Sequence, residues 1–222
     1  MKETAKTKGQ ILSETLTAKK ENIFEKQTDK TDAIFAYAEG YKTFLNAAKT
    51  EREAVTELVA MAKKNGFREW KLGDPVERGG AYWFNNRQKN LFLFRIGQND
   101  VARDGVRIMA AHIDSPRLDL KQNPVYEDSG MCFFKTHYYG GIKKYQWTTI
   151  PLALHGVVIL ENGEEVTVKI GEDESDPIVY RTDLLPHLAQ EQAQQPLGTA
   201  IPGAKLNILV GGFQYPDENV SE

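Results

Sequence analysis

The run VRIMAAH, residues 106–112, is mostly apolar and ends on His112, with Ile113, Asp114, Ser115 and Pro116 following directly. A strand of that texture is stable where both faces of its sheet are covered. Helices are the usual cover, which points to an α/β layer architecture. The segments upstream agree. In TDAIFAYAEGYKTFLNAAK, residues 31–49, Ile34, Phe35, Ala38, Tyr41, Phe44, Leu45 and Ala48 recur at three- and four-residue spacings. They therefore share one face of a helix, weakened at Gly40. Thr50 and Glu53 have the spacing of a capping box, Ala54, Val55, Leu58, Val59 and Ala62 continue an apolar stripe, and Asn65-Gly66 closes a second helix. AYWFN (81–85) and KNLFLFRIG (89–97) then read as two strands joined by a polar turn at Asn86 to Gln88. Residues 1 to 30 are polar and fit a frayed or surface helical segment.

After Asp119 the texture changes. MCFFKTHYYGG, HGVVILENG, EEVTVKIGE and DPIVYRTD read as short strands, and no crossover helix of useful length separates them. Asn162-Gly163 sits where a two-residue type I′ hairpin needs positive φ at both positions. ILVGGFQYPDENVSE, residues 208–222, reads as an apolar strand with no helix or cap after it. The expected division is therefore 1–118, α/β, and 119–222, β-rich.

Composition removes several classes of function. A net charge of −3, with both signs interspersed, offers no basic face for neutralising phosphates, so nucleic acid is not an expected partner. The Lys-, Glu- and Thr-rich N-terminus contains no apolar stretch fit for a signal peptide or membrane span, so the expected compartment is the cytoplasm, without a membrane partner. The single cysteine, Cys132, lies among Met131, Phe133 and Phe134 and is expected to be a buried apolar residue, because a reactive thiolate needs electropositive surroundings.

Residues i and i+2 at a strand end point to the same side, so His112 and Asp114 can share a site while Ile113 packs opposite. A carboxylate on one imidazole nitrogen fixes the tautomer and raises the basicity of the other, the usual partner of a metal-binding histidine. The string also fits a purely structural pair. A direct catalytic role for Asp114 is open too. Strand ends in α/β folds gather functional residues, and Ser115-Pro116 turns the chain out of the sheet there. Zinc needs three or four ligands, and His137, His155 and His187 show no local ligand spacing. His137 and His155 lie in strand patterns and read as structural. Ser115 has no nucleophile-elbow glycines, so Ser-His-Asp chemistry is not supported, and only Ser13, Ser129, Ser175 and Ser221 remain.

AHIDSPRLDLK (111–121) followed by KTHYYGGIKKYQWTTIPLALHGVV (135–158) closely resembles the M18 family of zinc aminopeptidases, the aspartyl aminopeptidase group. The likeness extends to the two helices and to DLLPHLA at 183–189. It implies that His112 ligates one of two zinc ions, with Asp114 assisting in the catalytic site. It implies an α/β sandwich metallopeptidase domain interrupted by a β-rich dimerisation domain, hence a homo-oligomer, and a peptide substrate cut at its N-terminal residue. His187, in the PHLA context, would bind substrate in a partner subunit's site, although an ordinary histidine beside Leu185 and Leu188 fits equally. M18 chains run well beyond this length and carry the bridging Asp, the paired Glu and the distal His there. The expectation is thus an N-terminal portion, inactive alone and exposing an apolar face, or alternatively a non-catalytic dimerisation or interaction module derived from that fold.

Overall fold

Helices in the polar N-terminal stretch begin where a side chain can cap them. In the computed structural model, which describes residues 6–18 and 20–213, α1 (Lys8–Leu16) starts at Thr7. The Thr7 hydroxyl accepts from the Gln10 amide, and the Thr7 amide donates to Gln10 Oε1. The short α2 (Ile23–Lys26) starts on the Asn22 side chain. The helix predicted from apolar spacing is α3 (Thr31–Ala47), which continues through Gly40. Ile34 and Phe44 of its stripe are half-buried, whereas Phe35, Tyr41 and Leu45 are exposed. These elements belong to one unit, Met1–Asn46, and the remainder, Ala47–Glu222, forms a second.

In the second unit, α4 (Glu51–Lys64) has the predicted capping box: Thr50 accepts from the Glu53 amide while Glu53 accepts from the Thr50 amide. Two orphan donors of the first turn are thereby satisfied. Asn65 caps the helix and Gly66, at φ +78°, takes the left-handed exit. Ala54, Val55 and Ala62 are buried from one face of α4, which packs on β2 (Ala81–Asn86) and β3 (Asn90–Arg95). The short β1 (Arg68–Glu69) runs parallel to β2, and β2 runs antiparallel to β3. Ala81, Tyr82 and Trp83 are the buried end of β2. A primed turn joins β2 to β3 at two non-glycine residues, Arg87 (φ 58°) and Gln88 (φ 57°). The Asn85 side chain supports it by accepting from the Gln88 amide at 2.8 Å.

The apolar run that suggested a buried strand is not one. After the short α5 (Val101–Asp104), residues 105–116 have no regular secondary structure, and Val106, Ile108 and Met109 are exposed at 66%, 79% and 100%. A strand exists only through a neighbour that takes its backbone bonds, and none of the described residues pairs with 106–112. Composition reported what the stretch can bury, not what covers it in this chain.

The β-rich stretch opens at Arg117. The strands β4 (Arg117–Asp128), β5 (Met131–Tyr139), β6 (Pro151–Leu152), β9 (Val179–Tyr180) and β10 (Ile208–Gly211) make a five-stranded sheet in the order β4-β5-β10-β9-β6, antiparallel throughout. Between them in sequence, β7 (Leu154–Ile159) and β8 (Glu165–Ile170) form a separate hairpin, and α6 (Gln190–Ala193) is a single turn. The β7–β8 connection differs from expectation. Gly163 is at φ 83° but Asn162 is not in the positive region, and the Gly163 amide donates to the Leu160 carbonyl. That is a three-residue loop ending on a left-handed glycine, and the type I′ pair occurs at Ser129 (φ 55°) and Gly130 (φ 73°) between β4 and β5.

Thr136, Leu206, Ile201 and Ile208 form the buried centre of this sheet, where the Thr136 hydroxyl donates to the Leu206 carbonyl. Cys132 on β5 is half-buried, less enclosed than its neighbours suggested, because it lies towards the hairpin end of the strand. The C-terminal part of the run-out expected after β10, residues 214–222, lies outside the described residues. No helix among the described residues is long and apolar enough to cross a membrane.

Candidate metal and substrate site

His112 and Asp114 meet as their i, i+2 spacing suggests, although the backbone that carries them is not a strand. His112 Nδ1 lies 2.9 Å from Asp114 Oδ1. The second carboxylate oxygen, Oδ2, accepts from the Tyr139 hydroxyl at 2.6 Å. The His112 side chain is 87% exposed and that of Asp114 29%, so the carboxylate is the sheltered member and the imidazole the presented one. Both residues line a cleft of about 480 Å³ with Glu51, Lys89 and Tyr139. The Tyr139 hydroxyl, and after it the bond to His112, hold the Asp114 carboxyl below its ordinary range against the opposing effect of desolvation. The same bond pushes the Tyr139 phenol up.

Tyr139 is placed by the sheet. It ends β5 directly opposite Arg117, the first residue of β4. The Arg117 guanidinium lies 4.1 Å from the centre of the Tyr139 ring, a cation–π contact. Arg117 is itself tied to Glu51 on the first turn of α4 at 3.1 Å and to Asp119 at 2.7 Å. Gly140 follows at φ +80°, and a Cβ there would sit 3.5 Å from Pro116 Cα. A glycine after Tyr139 thus suits the left-handed turn, while the contact with Pro116 is one that a Cβ could also make.

The donor chemistry suits zinc. An imidazole whose Nδ1–H is taken by a carboxylate offers Nε2 as the ligand atom. Among the described residues, however, no group of three or more His, Cys, Asp or Glu converges on one point. The described residues therefore fit one ligand and its carboxylate partner. His187 is exposed in the turn at 186–188 between exposed Leu185 and Leu188, and it is not among the residues lining the His112 cleft. His137 is exposed on β5 with its ring stacked on Tyr138.

A second titratable cluster was not visible in the sequence. The His155 side chain on β7 is 8% exposed, with Nδ1 2.8 Å from Glu53 and Nε2 2.9 Å from Glu172. Both ring nitrogens face carboxylate oxygens. Neither nitrogen is left for a metal. Glu172 also faces Lys49 at 3.7 Å. Burial raises the Glu53 carboxyl, but the bonds from His155 and Thr50 together with the His155 charge outweigh it and leave it lowered. Glu172 is lowered chiefly by its His155 bond. Carboxylates that ionise more readily folded than unfolded stabilise above their unfolded value and lose that contribution as pH falls through the folded one. Thermal unfolding should therefore show stability lost as pH drops below the ordinary glutamate value of 4.5. Glu53→Gln and Glu172→Gln should each flatten that acid limb.

Comparison with known proteins gives one consistent match. The family model described as aminopeptidase I zinc metalloprotease (M18) matches residues 44–219. A probable M18 family aminopeptidase 1 of Clostridium acetobutylicum is 46% identical over 201 residues, covering 88% of this chain and 43% of that protein. The crystal structure of an M18 aminopeptidase from Thermotoga maritima superposes with a TM-score of 0.83 at 35% identity, covering 91% of this chain and 44% of that one. The S. cerevisiae mApe1 dodecamer shares the fold with a TM-score of 0.60 at 20% identity, over 78% of this chain and 38% of that chain. The chain thus spans under half the length of the relatives it matches.

Proposed function

Because the chain belongs to the M18 family of aminopeptidase I zinc metalloproteases, we propose that it carries part of a zinc aminopeptidase site, with His112 as a metal ligand. The observation that carries this reading is the His112–Asp114 pair, with Nδ1 held at 2.9 Å and the rest of the imidazole presented to a cleft. His112 offers its Nε2 lone pair. Asp114, with one oxygen on His112 and the other on Tyr139, holds the ring in orientation. Bound zinc supplies Lewis-acid polarisation of the scissile carbonyl and activation of water. In the two-ion arrangement the remaining ligands and the general base come from the part of the family's length that this chain does not span.

The assignment of 119–222 to a dimerisation domain belongs to the same proposal, as do a homo-oligomer, a cytoplasmic location, a peptide substrate and a substrate-binding role for His187 in a partner's site. The exposed apolar run at 106–112 fits it too. Supplied with a pairing partner, that segment has the composition of an interior strand. Combining the chain with a polypeptide that supplies the rest of the family's length should yield bound zinc and release of N-terminal residues from peptides. Stable dimers of the chain alone, with neither zinc binding nor peptidase activity on combination, would instead favour a non-catalytic interaction module.

A further inference from the structure

We infer that Tyr139 is a positioning residue for the metal ligand: its hydroxyl occupies Asp114 Oδ2, leaving Oδ1 for His112 Nδ1–H, so that Nε2 remains the ligating nitrogen. The inference rests on His112 being a ligand and adds how the chain holds it ready. An exposed imidazole on irregular backbone has little else to orient it, with its side chain 87% exposed. A carboxylate bonded through one oxygen only can swing about its Cβ–Cγ bond. Bonded through both, it is fixed, and so is the ring it accepts from.

Tyr139 is in turn held by two independent devices. The β4–β5 register sets it opposite Arg117. The guanidinium covers its ring at 4.1 Å while bonded to Glu51 and Asp119. The orientation of His112 is thereby referred back to the first turn of α4 and to the first residues of β4. Irregular backbone between 105 and 116 need not be rigid by itself for the ligand to be preorganised.

The test is Tyr139→Phe, which keeps the ring beneath Arg117 and removes only the hydroxyl. Histidine 15N resonances of the chain in solution should show His112 as the Nδ1–H tautomer in the wild type and as a mixture in the variant, with the thermal midpoint unchanged. Titration with zinc ion alone should move the His112 resonances at about tenfold higher concentration in the variant, the scale of losing a group that orients a ligand. Followed at the backbone amides of Ile113, Asp114 and Tyr139, which line the same cleft and whose amides are present in both variants, the zinc response should be abolished in His112→Ala. A wild-type tautomer and zinc midpoint in Tyr139→Phe, with the response lost in His112→Ala, would overturn the positioning role and leave the ligand assignment standing. A zinc response that survives His112→Ala overturns both.

Discussion

His112→Ala, introduced into the chain combined with the rest of the family's length, should remove one equivalent of zinc and lower peptidase activity by more than about 100-fold, the upper end of what loss of a ligand-orienting group alone costs. The reasoning runs through geometry. His112 is the residue at which an Nδ1–carboxylate bond, a presented ring and a cleft coincide. Removing the imidazole takes away the ligand atom, and the cleft wall around it stays. Asp114→Asn should act through the same atom less severely, by weakening the acceptor that fixes the tautomer. Metal analysis alongside activity separates the two variants, because the first loses the ion and the second binds it more weakly.

The second large effect concerns stability. Leu206 is fully buried at 0% exposure, at the entry to β10, and its carbonyl accepts from the Thr136 hydroxyl. Leu206→Ala should destabilise the second unit by about 2–5 kcal/mol, the cost of a cavity that the flanking strands can only partly close. Leu185→Ala and Leu188→Ala, at 60% and 64% exposure, should change stability by no more than about 0.5 kcal/mol. Denaturant midpoints measure the contrast. Similar values for all three would mean that Leu206 does not sit in the core of the five-stranded sheet.

Local signals in the sequence carried the helices and most of the strands. Thr50 and Glu53 announce α4 because a capping box is a contact between near neighbours. The short strands that became β5, β7 and β8 were equally readable. What failed depended on partners distant in sequence. VRIMAAH has the composition of an interior strand, yet none of the described residues pairs with it, so its apolar side chains lie exposed. The β7–β8 turn failed for a subtler reason: Asn-Gly is the strongest type I′ signal, but a three-residue connection at Glu161 to Gly163 satisfies the same strands with one positive φ.

The site divides in the same way. His112 and Asp114 are two residues apart and their bond could be anticipated, whereas Tyr139 reaches Asp114 from 25 positions away through an antiparallel register that no periodicity reveals. The Glu53–His155–Glu172 cluster spans 102 and 17 positions. Nothing around His155 in the sequence distinguishes a histidine clasped by two carboxylates from one buried among apolar strand residues. The family resemblance supplied the role of His112, and geometry supplied its support.

A crystal structure of the zinc-loaded, combined protein is the most direct measurement of the central assignment. The expected result is a zinc ion at about 2.0–2.1 Å from His112 Nε2, with Nδ1 still on Asp114 and Asp114 still on Tyr139. Zinc bound elsewhere, with the His112 ring turned away and unligated, would contradict it.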